Sequence, residues 1–103
     1  MVLELAHIDI KQGTDDDFLA AMAMARALLQ RAKGYHGMQL RKVMERSSSY
    51  QLLVQWRNLE DHIGFQASAD FQEWRRLLGL FFTETPRVEH SMVLLEDEWP
   101  LKT

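Results

Sequence analysis

Residues 47–56 read Ser-Ser-Ser-Tyr-Gln-Leu-Leu-Val-Gln-Trp. The serines make a polar turn. Beyond them Tyr50, Leu52, Val54 and Trp56 fall on one side of an extended chain and Gln51, Leu53 and Gln55 on the other, because strand side chains alternate. Residues 35–45 alternate more weakly, with His36, Met38, Leu40, Lys42 and Met44 against Tyr35, Gln39, Arg41 and Val43. Two such runs joined by a short polar loop predict a β-hairpin.

Working outward, residues 2–11 alternate Ala6, Ile8 and Ile10 against Leu5, His7 and Asp9, which predicts a strand. Gly13-Thr14 ends it. Thr14 is a suitable N-cap, and Asp15, Asp16 and Asp17 place negative charge at the positive end of a helix dipole. That helix is expected to run to about Lys33. Phe18, Met22, Ala25, Leu28, Leu29 and Ala32 form its apolar stripe, and Gly34 stops it. After the hairpin, Asn58 caps a second helical region, with Asp61 three residues on. Ser68 restarts it with Asp70 in the first turn, and Phe71, Trp74, Leu77 and Leu78 follow at helical spacing. Gly79 and Pro86 bracket a loop holding Phe81 and Phe82, and residues 87–96 alternate as a last strand.

The order is βαββαβ. With right-handed crossovers it gives an α+β, ferredoxin-like fold: a four-stranded antiparallel sheet with both helical regions on one face. A single domain is expected over residues 1–103, with a core over 2–95 and a tail over 96–103. Leu53 opposes Leu52 and Val54, and Val93 and Leu95 oppose Met92 and Leu94, so several strands are apolar on both faces. Two helical regions cover only one face, so a homodimer through the uncovered sheet face is expected.

Composition narrows the chemistry. Twelve Lys and Arg against fifteen Asp and Glu give a net charge of −3, with no basic footprint for nucleic acid. With no cysteine, disulfides, Cys-ligated zinc, iron–sulfur clusters and a thiol nucleophile are excluded. No apolar run reaches membrane-spanning length, and Met1 leads into a strand pattern, so a cytoplasmic protein without membrane contacts is expected. His7 and Asp9 share a strand face, but even with His36 the spacing is too weak for a metal site, and none is expected.

The run from Leu53 through Trp56, Glu60 and His62 to Phe65, followed by Ser68-Ala-Asp-Phe71-Gln-Glu-Trp74, resembles the antibiotic biosynthesis monooxygenase family. Pro86-Arg-Val-Glu-His90 resembles the start of that family's last strand. The resemblance implies a dimeric α+β barrel of two ferredoxin-like subunits. It also implies oxidation of phenolic or quinol-like aromatics by O₂ without metal, flavin or haem, so no cofactor is expected. Haem-degrading relatives of this fold carry a His on the second helix, a nearby Trp and a first-strand Asn. Trp74 or Arg75, Phe65, and His7 or Asp9 stand at those places, and none matches.

Cofactor-free oxygenation needs a dry apolar pocket, a proton acceptor and stabilisation of an anion. His62 is the candidate base and Arg76 the candidate charge stabiliser, both offered by position within the resemblance. Trp56, matching the family's strand-end Trp, is the candidate stacking wall. Phe65, Trp74, Phe81 and His90 are the other candidate substrate-binding residues. The alternative is a dimeric barrel of the same fold that holds a small apolar or aromatic ligand without turnover, or serves a stress-related role. In that case the aromatics are ordinary core.

Overall fold

The computed structural model describes residues 1–99. Residues 100–103 of the expected tail lie outside the described residues. Strand β1 (Val2–Asp9) is followed by helix α1 (Asp15–Gln30), the hairpin β2 (Tyr35–Lys42) and β3 (Ser49–Trp56), helices α2 (Leu59–Gln66) and α3 (Ala69–Leu78), a 3₁₀ turn (Gly79–Phe81) and β4 (Arg87–Ser91). The antiparallel sheet has the order β2-β3-β1-β4, the ferredoxin-like arrangement that the element order implies.

Period-two alternation decides which face the helices cover. Glu4, Ala6, Ile8 and Ile10 from the first strand run, and Tyr50, Leu52, Val54 and Trp56 from β3, are all buried beneath them. Helix α1 adds Phe18, Met22, Ala25, Leu28 and Leu29. Phe18 has no exposed surface and packs against Tyr50 and Phe81 at ring-centroid distances of 5.1 and 5.9 Å. An aromatic buried in this way contributes about 2–3 kcal/mol by area removed from water. The Tyr50 hydroxyl donates to Asp15 Oδ2 at 2.5 Å, tying β3 to the start of α1.

Several boundaries differ from the sequence reading. Helix α1 ends at Gln30 instead of Lys33: the chain turns through Ala32 N–H to Leu29 O at 3.0 Å and passes through Gly34 at φ +81°. Thr14 makes no side-chain cap. Its hydroxyl donates backwards to Lys11 O at 2.6 Å. The two later caps stand as read: Asn58 Oδ1 accepts from Asp61 N–H and Ser68 Oγ accepts from Phe71 N–H, which makes the second helical region two helices. The last strand stops at Ser91, where its pairing with β1 ends opposite Leu3, one residue from the start of β1. Met92, Val93, Leu94 and Leu95 follow as exposed side chains outside the sheet.

Gly34 illustrates a close approach. A Cβ there would lie 2.1 Å from Asp61 Oδ2, within the carboxylate that Arg57 holds at 2.9 and 3.2 Å. Gly13 has a similar φ of +82° but nothing within 4 Å of its Cβ position. Gly34→Ala is therefore expected to cost about 2–4 kcal/mol and Gly13→Ala only about 1 kcal/mol, as measured by urea unfolding.

Candidate active site

The sheet register assembles the site. Glu4 on β1 stands opposite His90 on β4, on the face beneath the helices. Trp56 ends β3, two residues before the Asn58 cap, so the first turn of α2 brings His62 down over the Trp56 ring. The two rings stack with centroids 5.0 Å apart and planes 15° from parallel.

One carboxylate oxygen gathers these groups. Glu4 Oε1 accepts from Trp56 Nε1–H at 2.9 Å and lies 3.2 Å from His62 Nε2. The other ring nitrogen, His62 Nδ1, lies 2.7 Å from His90 Nε2. His62 is only 3% exposed and Glu4 only 6%. Burial disfavours charge on both, so the Glu4 carboxyl is held above its usual range, partly offset by the Trp56 hydrogen bond. His62 is pushed down to about 4 by burial first and by the neighbouring His90 second.

A cleft of about 900 Å³ opens beside this pair, between α3, the loop leading to β4, and the sheet. Ala6, Ile8, Leu52, Phe71, Trp74 and Phe82 supply apolar wall, while Glu4, His62, Arg75, Arg76 and Glu84 supply polar groups. Among the described residues no cluster of three His, Cys, Asp or Glu side chains is arranged to hold a metal ion.

The structure brings three of the sequence-selected residues, His62, Trp74 and Arg76, onto this cleft. Arg76 is exposed and paired with Glu73, one turn back on α3. His62 presents its ring to the cleft, but both nitrogens face protein partners. His90 does not line the cleft: it sits on the exposed edge strand, bonded to His62. Trp56 has no exposed surface and stacks on His62, leaving none for a ligand. Phe65 packs behind it, 5.7 Å from Trp56 and 5.6 Å from Phe71. Phe81 belongs to the Phe18–Tyr50 end of the core. Glu4 is absent from the candidates that the sequence offers. Its signal was there: an acidic residue in phase with Ala6, Ile8 and Ile10 on the buried side of a strand.

Comparison with known proteins agrees with this architecture. The sequence profile of the family described as antibiotic biosynthesis monooxygenase matches residues 1–77. The chain belongs to the antibiotic biosynthesis monooxygenase family. An uncharacterised Bacillus subtilis protein, YczJ, is 44% identical over 91 residues, covering 87% of this chain and 96% of its own. A Bordetella bronchiseptica crystal structure, provisionally named an antibiotic biosynthesis monooxygenase, superposes with a TM-score of 0.88 at 42% identity, covering 91% of this chain and 97% of that one. A provisionally named family member from Nitrosomonas europaea shares the fold at a TM-score of 0.78 and 15% identity, covering 92% and 100%. Among the described residues no helix is long and apolar enough to cross a membrane.

Burial of His62 makes the fold sensitive to acid. Between pH 6.5 and about 4 the unfolded chain binds a proton on His62 that the folded chain does not, so folded-state stability falls as the pH drops through this window. Glu4 acts oppositely, because its raised carboxyl keeps a proton in the fold that the unfolded chain releases above 4.5. Comparing wild type with His62→Asn isolates the histidine. Wild type is expected to lose about 3 kcal/mol more than the variant on acidification from pH 7 to 4, read by denaturant unfolding at each pH.

Proposed function

We propose that this protein is a cofactor-independent monooxygenase acting on a small phenolic or quinol-like aromatic in the cleft beside His62. The observation that carries this reading is an apolar, aromatic-walled cleft that closes on a buried carboxyl–imidazole pair. Phe71, Trp74 and Phe82 offer flat surface to a ring. Deprotonation of the substrate makes an electron-rich anion that reduces O₂ directly. For an anthrone-type CH₂, one oxygen atom becomes the new carbonyl and the other leaves as water with the two hydrogens, so no outside reductant is required. Glu4 is the proton-handling group that meets the ligand, and His62 holds it in place. Arg75 and Arg76 at the rim stabilise the anion.

Family membership supports the reading, and the aromatic wall of the cleft supports a flat ring as its substrate. Oxygen uptake with anthrone and quinol substrates tests it. Glu4→Gln, which still accepts from Trp56, is expected to lower kcat about a hundredfold with unchanged thermal stability, and His62→Ala to lower it comparably. Saturable quenching of tryptophan fluorescence by these aromatics with no oxygen uptake would instead favour the ligand-binding alternative.

We also propose that a second copy covers the outer sheet face. Leu5 and Leu53 are direct cross-strand partners there, and Leu3 lies beside them on the same face; all three are half-buried with no helix over them. Met92 to Leu95, with Leu94 and Leu95 at 90% and 94% exposure, extend from the neighbouring edge strand. Sedimentation at micromolar concentration is expected to show a dimer, and Leu53→Asp a monomer.

A further inference from the structure

We propose that Glu4, His62 and His90 form a proton wire from the cleft to bulk solvent, with His62 and His90 as positioning residues that act through Glu4. The proposal rests on the reading of the cleft as a site for an acidic aromatic. Its geometric basis is a continuous line: Glu4 Oε1 is 3.2 Å from His62 Nε2, and His62 Nδ1 is 2.7 Å from His90 Nε2. The inner end lies in the cleft wall, and the outer end lies on the exposed edge strand. Both bonds of Glu4 within the described structure are made by Oε1, which leaves Oε2 for a ligand.

Donor and acceptor rules permit two proton arrangements. Trp56 Nε1–H only donates, so Glu4 Oε1 accepts from it in both. In the outward arrangement, Glu4 is an acid whose Oε1–H donates to His62 Nε2, His62 Nδ1–H donates to His90 Nε2, and His90 Nδ1–H donates to water. In the inward arrangement the proton of Glu4 is on Oε2, His62 Nε2–H donates to Oε1, and His90 Nε2–H donates to His62 Nδ1.

Converting the first arrangement into the second takes one proton from the ligand onto Oε2 and releases one from His90 Nδ1 to water. Each bond between them shifts by a single proton. When the reduced-oxygen anion takes a proton back from Oε2, every shift reverses and water reprotonates His90. Glu4 remains a neutral acid and His62 a neutral imidazole in both arrangements, which is what burial favours for each. No buried ring has to rotate. The wire lets the cleft exchange a proton with solvent while a bound aromatic excludes water from Glu4.

The charged groups around this line are few. Arg75 and Arg76 from α3 and Glu84 from the loop before β4 line the cleft. Asp61, next to His62 on α2, is held by Arg57. None of these shares a hydrogen bond with the three wire residues.

The test uses dihydroxyanthrone, whose anion absorbs in the visible, mixed with the protein under argon in a stopped-flow instrument. His90→Phe, which fills the edge site but carries no proton, is expected to slow anion formation at least about tenfold. His90→Ala leaves a hole, and its rate is expected to rise saturably with added imidazole, whereas His90→Phe stays insensitive. His36→Ala, on β2 at the opposite edge of the sheet, is expected to keep the wild-type rate. Nitrogen-15 NMR supplies an arm that needs no ligand: a scalar coupling between His62 Nδ1 and His90 Nε2, and slower solvent exchange of the His62 ring N–H in His90→Phe.

A wild-type anion rate in His90→Phe, or an imidazole-insensitive His90→Ala, overturns the wire. If dihydroxyanthrone fails to bind, the aromatic-substrate reading fails, and the ring exchange alone decides the wire. If the anion forms with the expected His90 dependence but no oxygen is consumed in air, the oxygenase reading fails and the wire stands.

Discussion

Glu4 Oε1 lies beneath the helices, where a carboxyl group has lost its water and needs polar partners. Trp56 reaches it from the end of β3, and His62 reaches it from the first turns of α2. Through His62 the same contact extends to His90 on β4. One buried oxygen thus ties the end of the hairpin, the entry of the second helical region and the edge strand to the centre of the sheet. Losing either partner would leave the buried carboxyl short of a hydrogen bond, so the positions of Trp56 and His62 are coupled through it.

The cleft depends on a break in the second helical region. After Gln66 the chain leaves α2, Ser68 Oγ donates to Phe65 O at 2.5 Å, and the same oxygen accepts from Phe71 N–H to begin α3. The redirected helix carries Phe71 and Trp74 along the cleft wall while Leu78 stays in the core. Asp70 in its first turn is gripped by Arg31 through two hydrogen bonds of 2.7 and 2.8 Å, so α3 is held against the end of α1. Arg31 is exposed and Asp70 half-buried at the surface, so this contact fixes orientation more than it adds stability.

Much of the fold is legible as periodicity. The alternation through Tyr50, Leu52, Val54 and Trp56 gives β3 and its buried face, and Asn58 and Ser68 cap helices as their side-chain chemistry requires. The last strand is over-read, because alternation continues past Ser91 while the pairing with β1 ends at Leu3. The site is legible in residue type more than in role. His62 stands out as the only histidine early in a helix, but the two partners that occupy its nitrogens are not visible along the chain. Glu4 hides inside an apolar alternation. Aromatic content does not separate Trp74, which lines the cleft, from Trp56 and Phe81, which are core.

The order of elements, the buried faces of β1 and β3 and the absence of thiol chemistry are all legible along the chain, because they follow from local alternation and composition. Which polar groups meet is a matter of the folded chain. Trp56 bonds Glu4 across 52 positions of chain, and His62 meets His90 across 28. Those encounters depend on sheet register and on the angle at which α2 leaves Trp56. Both are set by the packing of the whole core, and a shift of about one ångström would undo them.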